Sequence, residues 1–417
     1  VTNRDVTMAC NSVDDFRERA RMWLAEAMPK LGGEAPLSNR ADEATWQRAR
    51  ELQRRLFDGG FAGICFPREY GGLGLNFSFQ QAFNEEAIGY EMPVVLNIPS
   101  LTICAPTLLD TAGEELKRKY ISAALRGDEV LCQLLSEPGG GSDLAGVITR
   151  AERRADKWIL NGAKTWSSSA FAADHGLCLA RTNWDVPKHE GLTMFLVPLK
   201  HPNLTLRRIK QVNGSEEFCE EFFDDLDLGD DYVVGEVNKG WEVASRQLFH
   251  ERRAVAKGSE FANSAAEEQG ESGRTDLVEV MNTFGRGDDV GARRLAGRAI
   301  THHMVGKALG ESIFHGVAMG QLPPAAGSIS RLFYGLAENI GVDAALELAG
   351  PAGVIGDGPT IAAIGKKYLS RQVICIGGGT TEIARNIIAE RVLGFPREFA
   401  ADRGVPFREV RRRRSES

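Results

Sequence analysis

Cysteine is sparse and unpaired in this chain. The seven residues, Cys10, Cys65, Cys104, Cys132, Cys178, Cys219 and Cys375, form no CxxC pair and have no histidine beside them at metal-ligand spacing. That argues against a disulfide framework and a zinc ribbon, so no metal is expected and the thiols read as reduced and mostly buried. No run approaches the roughly 18–20 uninterrupted apolar residues of a membrane-spanning helix. The opening stretch VTNRDVTMACNSVDD has no basic-then-apolar signal order, so no membrane span and a cytoplasmic location are expected. Positive charge is also in short supply. The formal net charge is −7, and the one basic run, Arg411–Arg414, falls in a polar tail that reads as a solvated terminus. Nucleic acid is therefore not an expected partner.

With 43% hydrophobic and 26% charged residues in 417, the chain can bury a large core in two or three domains. Residues 13–126 carry an amphipathic helical pattern broken at Gly32–Gly33, Gly59–Gly60, Gly71–Gly72 and Pro93. From Leu131 to Val237 the pattern changes to short apolar runs, VLCQLL, KWILNG, HGLCLAR, LTMFLVPL, LTLRRI and EEFFDDL, separated by turn residues. Helical periodicity returns from Gly240 to Leu393. The expectation is an α+β fold: an N-terminal helical domain over 10–130, a middle β-sandwich or barrel over 131–237, a C-terminal helical bundle over 238–397 and a tail over 398–417.

Two stretches carry chemistry. LLSEPGGGSDLAG, Leu134 to Gly146, holds three successive glycines before Ser142 and Asp143, a loop whose backbone N–H groups can approach an anion. NGAKTWSSSAF, Asn161 to Phe171, offers the Trp166 ring for stacking and the Ser168 hydroxyl for hydrogen bonding. Taken singly, the first reads as a tight loop and Trp166 as a core aromatic.

Together they resemble the acyl-CoA dehydrogenase family. The first matches T-E-P-x-x-G-S-D, with Ser136 in the Thr position followed by Glu137, Pro138, Gly141, Ser142 and Asp143; the second resembles N-G-x-K-x-W-I-T-N. GGFAGICFPREYGGLG, Gly59 to Gly74, is similar to an N-terminal family segment, and ICIGGGTTEIARNIIAERVLGFPRE resembles the closing helix with its G-T-x-E-I motif. The resemblance implies an actinobacterial-type enzyme that uses FAD to oxidise the Cα–Cβ bond of an acyl-CoA to the trans-2-enoyl-CoA. It further implies an electron-transfer flavoprotein as acceptor and a homotetramer or dimer as the assembly. It assigns Gln133, Leu135, Ser136, Gly141, Ser142, Trp166, Ser167, Ser168, Gly350, Thr380 and Glu382 to the cofactor, and Ser142, Arg252 and Gly378 to the substrate. Thr380–Thr381 also reads as a helix N-cap.

Such a reaction needs a carboxylate to take the α-proton. Many family members carry Glu immediately before G-T, where this chain has Gly378. A second group, which includes isovaleryl-CoA and long-chain enzymes, carries it on the first helix after the β-domain, where Glu251 falls. Trp241, Ala244, Leu248, Glu251 and Val255 recur at helical spacing, which sets that carboxylate on a mainly apolar stripe. The competing reading pairs Glu251 with Arg246, Arg252 or Arg253. Glu85, Glu86 and His250 read as helix-surface residues.

The chain also departs from the family. Met281 of MNTFG stands where R-x-x-F-G places an FAD-binding arginine, with Arg286, Arg293 and Arg294 nearby, and Leu369 and Ser370 replace an Arg-Asp pair. These losses leave open a partner-dependent or non-catalytic subunit of a hetero-oligomer. A flavin monooxygenase is the third reading, opposed by the presence of Glu251 and Ser142.

Overall fold

The computed structural model describes residues 12–31, 39–255, 258–263 and 277–410. Cys10 and the Arg411–Arg414 run lie outside them. The described residues fall into two compact units, one drawn from 1–210, 216–270 and 400–417, the other from 211–215 and 271–399.

The first unit begins with helices whose ends are encoded locally. Ser12 accepts a hydrogen bond from the Asp15 N–H and caps Val13–Ala27, which buries Phe16, Ala20 and Leu24 at steps of four. Asp42 caps Glu43–Gly59 in the same way. A side chain at Gly59 would run into the Trp23 ring, its Cβ 2.2 Å from the nearest ring carbon, so this helix–helix approach depends on glycine. The apolar segment Val94–Thr111 is long enough to pass as a membrane span by composition, yet most of it is buried as a core element.

The middle sheet is one hydrogen-bonded system of eight strands: β1 (Leu131–Leu134), β2 (Arg150–Arg154), β3 (Lys157–Ser168), β4 (His175–Arg181), β5 (Leu192–Pro198), β6 (Leu204–Ile209), β7 (Phe218–Leu228) and β8 (Val233–Val234). The order is β6-β7-β3-β2-β4-β5-β8, with β1 parallel to the first half of β4. Leu177, Leu179, Met194, Phe195 and Leu196 fill its core. The Gly240–Val255 helix packs in the same unit, against the segment Asn97–Cys104 and β5. Part of the 398–417 stretch read as a tail joins it too: the Phe407 N–H bonds the Val186 carbonyl, and Phe407 is buried.

The second unit is helical, with Leu277–Thr283, Val290–Ala318, Gly327–Ala349, Pro359–Ser370 and Thr381–Ile387 around an alanine-rich core that includes Ala292, Ala296, Ala299, Ala344 and Ala345. Small side chains let helix axes approach closely.

Lys164 ties the sheet to the glycine-rich loop. It is fully buried on β3, and its Nζ donates to the Leu135 carbonyl (3.0 Å) and to Glu137 Oε1 (3.0 Å). Burial alone would raise the Glu137 carboxyl, but Lys164 and the N–H groups of Ile148 and Thr149 hold it below the usual range. Removing one partner of a buried pair strands the other charge. Lys164→Met should therefore lower the unfolding free energy by about 3–5 kcal/mol in equilibrium denaturation, and a variant as stable as the parent would contradict this role.

Candidate functional site

The Gly-rich loop leaves β1 and doubles back at once. The Gly140 N–H donates to the Glu137 carbonyl (2.9 Å), so this donor closes a turn instead of facing outward as the sequence pattern suggested. Pro138 to Asp143 are exposed, and a Cβ on Gly139 or Gly140 would meet nothing within 4 Å, so the loop backbone stays approachable. Ser136 lies behind Gly141, where an added Cβ would come within 3.2 Å of its hydroxyl. Lys188 bonds Asp143 (2.9 Å) and Asp402 (2.8 Å) at the rim. Beneath it the buried Arg181 guanidinium donates to the carbonyls of Ala145 and Val147 and lies 3.9 Å from the Phe407 ring centroid. Burial draws Arg181 down to about 10.

Trp166 is set by a β-bulge. Thr165 pairs with Glu220 and Ser167 with Cys219, which leaves Trp166 as an extra residue at φ 63. A bulky side chain in the left-handed region costs roughly 1–2 kcal/mol, and strain of this kind persists where the surroundings enforce it. The outcome is an indole 56% exposed, with the Phe218 ring edge-on at 5.9 Å. Ser168 next to it is half-buried, whereas Ser167 turns its hydroxyl into the core and donates to Glu221 Oε2 (2.8 Å). Leu135 is buried and meets Lys164 through its carbonyl. An exposed planar ring, a neighbouring hydroxyl and an open glycine loop fit the ring and phosphates of a flavin dinucleotide.

Glu251 lies in the last turns of the Gly240–Val255 helix, half-buried. The buried stripe of that helix is Gly240, Val243, Ala244, Gln247, His250 and Ala254, while Trp241, Leu248 and Val255 are half-buried beside it. Of the stripe anticipated from spacing, Ala244 thus lies on the packed face while Trp241, Leu248, Glu251 and Val255 border it. Gln133 Nε2 reaches Glu251 Oε2 at 3.5 Å, a long hydrogen bond that brings β1 and this carboxylate together. Burial pushes the nearby Cys104 thiol well up, and the Glu251 charge adds to it. Two of the three arginines in the competing reading are engaged elsewhere: Arg246 with Asp110, and Arg253 with Glu260. Arg252 is exposed.

His250 is not the surface residue expected. It is 4% exposed, and its Nε2 lies 2.8 Å from Asp110 Oδ2, an oxygen shared with Arg246. This contact ties the helix to Asp110, and no spacing signal in the sequence links Asp110 to it. Glu85 is exposed and pairs with Arg17 as expected of a surface residue, whereas Glu86 is only 14% exposed and pairs with Arg17 and Arg21.

In the second unit, Gly350 ends the Gly327–Ala349 helix at φ 60 and ψ −147, a conformation that only glycine holds readily. Gly378 and Gly379 are also left-handed, at φ 70 and 96, and Arg331 donates to the Gly377 carbonyl (2.6 Å). A glutamate at 378, the arrangement common in the resembled family, would be strained by this backbone. Thr380 caps the following helix by accepting from the Ile383 N–H (3.2 Å), and Glu382 is exposed beside Arg385. Met281 is buried in the unit's core. Arg286 is engaged with Asp289 and the Glu347 carbonyl, Arg293 with Asp288 and the Gly287 carbonyl, and Arg294 is exposed.

Comparison with known proteins agrees along most of the chain. Models of the N-terminal, middle and C-terminal domains of acyl-CoA dehydrogenase match residues 13–128, 132–226 and 238–393. Acyl-CoA dehydrogenase IpdE1 of Mycobacterium tuberculosis is 34% identical over 394 residues, which span 93% of this chain and 98% of that one. The mitochondrial long-chain specific acyl-CoA dehydrogenase of Sus scrofa is 28% identical, over 91% and 86% of the two chains. A solved structure named Tcur3481-Tcur3483 steroid ACAD is similar with a TM-score of 0.73 at 26% identity, covering 93% of this chain and 98% of its own.

If the exposed indole and the loop hold the cofactor, replacing both Trp166 and Ser142 by alanine should leave purified protein with clearly less than one FAD per chain, read from its visible absorbance. Full FAD occupancy in that double variant would count against the assignment.

Proposed function

The chain belongs to the acyl-CoA dehydrogenase family, and from that premise we propose that Glu251 is the base that takes the α-proton of the acyl-CoA substrate. FAD supplies the hydride acceptor for Cβ. Trp166, Ser168 and the Gly139–Ser142 loop would hold it, with Gln133 and Ser136 alongside.

The observation that carries this reading is the approach of Gln133 Nε2 to Glu251 Oε2. It sets a carboxylate beside the strand that leads into the cofactor loop, and an amide donor orients it without adding charge. A general base must be placed before its strength matters. The α-proton passes to the carboxylate, the electrons of the Cα–H bond form the double bond, and the helix holds the base in place through Asp110, Arg246 and His250. Ser142 and Arg252 meet the CoA side.

The acyl group is branched, long or polycyclic. Gly378 removes bulk where many family members carry their base, and the likeness to a structure named as a steroid ACAD supports the larger end of that range. An electron-transfer flavoprotein re-oxidises the cofactor. A second reading, a subunit that needs a different partner chain, is favoured by one observation: Met281 lies in the core where the family's pyrophosphate-binding arginine is expected, and Arg286 and Arg293 are held locally. Met304, Val305 and Phe314 on the Val290–Ala318 helix are exposed, as a helix that meets other subunits would have them.

Glu251→Gln should keep the fold and FAD while flavin reduction by a bulky acyl-CoA falls by about 100- to 10,000-fold. Unchanged reduction would return Glu251 to an ion-pair role. Chain purified alone should form a yellow homotetramer or dimer that turns over with an electron-transfer flavoprotein; colourless protein that gains FAD only with a second chain would support the subunit reading, and rapid turnover with oxygen alone would point to an oxidase or monooxygenase.

A further inference from the structure

Inside the middle sheet lies a carboxyl group that the proposed reaction does not use. Glu221 on β7 is fully buried and stands opposite Lys164 of β3 in the strand register. Lys164 already serves the Leu135 carbonyl and Glu137. Glu221 Oε2 accepts from the Ser167 hydroxyl at 2.8 Å, and Oε1 has no hydrogen-bond partner among the described residues. Two buried carboxyl groups thus face one buried ammonium, and the charges balance when Glu221 carries a proton. The other titratable groups whose charges reach it are the thiols of Cys132 on β1, Cys178 on β4 and Cys219 on β7, all pushed up by burial, and Glu220, its neighbour along β7. Burial raises Glu221 to about 8 against the opposing pull of Ser167 and Lys164.

Ser167 connects this carboxyl to the cofactor face. It directly follows the Trp166 bulge and precedes Ser168, and its hydroxyl is the polar group that reaches inward from that segment. The family pattern N-G-x-K-x-W-I-T-N has an apolar residue at this position, so the chain has a buried polar pair where an apolar contact would serve.

We propose that Glu221 is a positioning residue for the flavin-facing segment of β3, holding the Trp166 bulge through the Ser167 hydroxyl and making that segment responsive to the proton on its own carboxyl. The proposal rests on the reading that Trp166 and Ser168 meet FAD. Ionisation places a negative charge in the sheet interior, which the segment relieves by moving or by changing its hydrogen bonds, and a flavin resting on that segment senses either change.

The sign of the accompanying stability change follows from linkage. The folded chain keeps this proton to about pH 8, whereas the ordinary value is 4.5. Between these values the unfolded chain binds fewer protons, so the contribution of Glu221 is full below about 4.5 and is lost as pH rises towards 8.

The test follows the flavin midpoint potential and visible spectrum of the holoenzyme from pH 6 to 9.5, with the infrared carbonyl band of a protonated carboxyl recorded on the same samples. The parent protein should show a one-proton step near pH 8 in both flavin readouts, coincident with loss of the infrared band. Glu221→Gln should remove the step and the band, and should flatten the fall of the thermal midpoint with rising pH. Ser167→Ala, which removes a hydrogen bond to the ionised form, should move the step to higher pH. A step that survives Glu221→Gln overturns the proposal, as does an infrared band that titrates while the flavin stays unchanged. The second comparison needs only the parent protein and so holds even if a variant fails to fold. Protein that holds no FAD overturns the cofactor reading and this one together; protein that holds FAD and shows no step overturns this one alone.

Discussion

Lys164 places an ammonium group where no water reaches it, and the segments around it are arranged to receive its hydrogen bonds. Its contacts with the Leu135 carbonyl and Glu137 hold the strand that carries Trp166 against the loop that carries Ser142. The Ser136 carbonyl then accepts the Thr165 N–H, and the bulge at Trp166 begins one residue later. Buried ion pairs contribute little net stability compared with apolar packing of the same volume. The physical consequence here is register: a slip of one residue along β3 would leave a buried carboxylate and a buried ammonium apart, and would turn the indole inward.

Glu251, the proposed base, is positioned from a different direction. The helix that carries Glu251 is held on one side by Asp110, through Arg246 and His250, while Gln133 approaches the carboxylate from β1. A helix held in this way has little freedom to rotate. The carboxylate therefore occupies a defined place at the margin of the packed face, desolvated in part and within reach of an amide, as abstraction of a weakly acidic proton requires.

The helical and strand segments were legible because their periodicities differ, and the motifs around Ser142 and Trp166 were legible because several uncommon residues recur at set spacings. Local sequence did not reveal what depends on contacts between distant segments. His250 read as a surface residue because its partner, Asp110, lies 140 positions away. Gly378 showed as a missing carboxylate, but the left-handed backbone there, which disfavours any side chain, became visible only with Arg331 holding the Gly377 carbonyl. Glu221 was within reach, since strand alternation puts it with the buried Cys219 and Phe223, yet EEFFDDL read only as one more strand-forming run, and nothing local sets Glu221 apart from Glu220, Asp224, Asp225 and Asp227 beside it.

Removal of the α-proton by Glu251 is tested most directly when proton removal is separated from hydride transfer. An acyl-CoA whose Cβ is replaced by sulfur has no hydride to give but still has an acidic α-proton, and its enolate beside oxidised flavin produces a long-wavelength charge-transfer absorbance. With Glu251 as the base, this absorbance should form with the parent protein and be lost in Glu251→Ala that still holds FAD and still binds the analogue. The same absorbance at full strength in Glu251→Ala would contradict it.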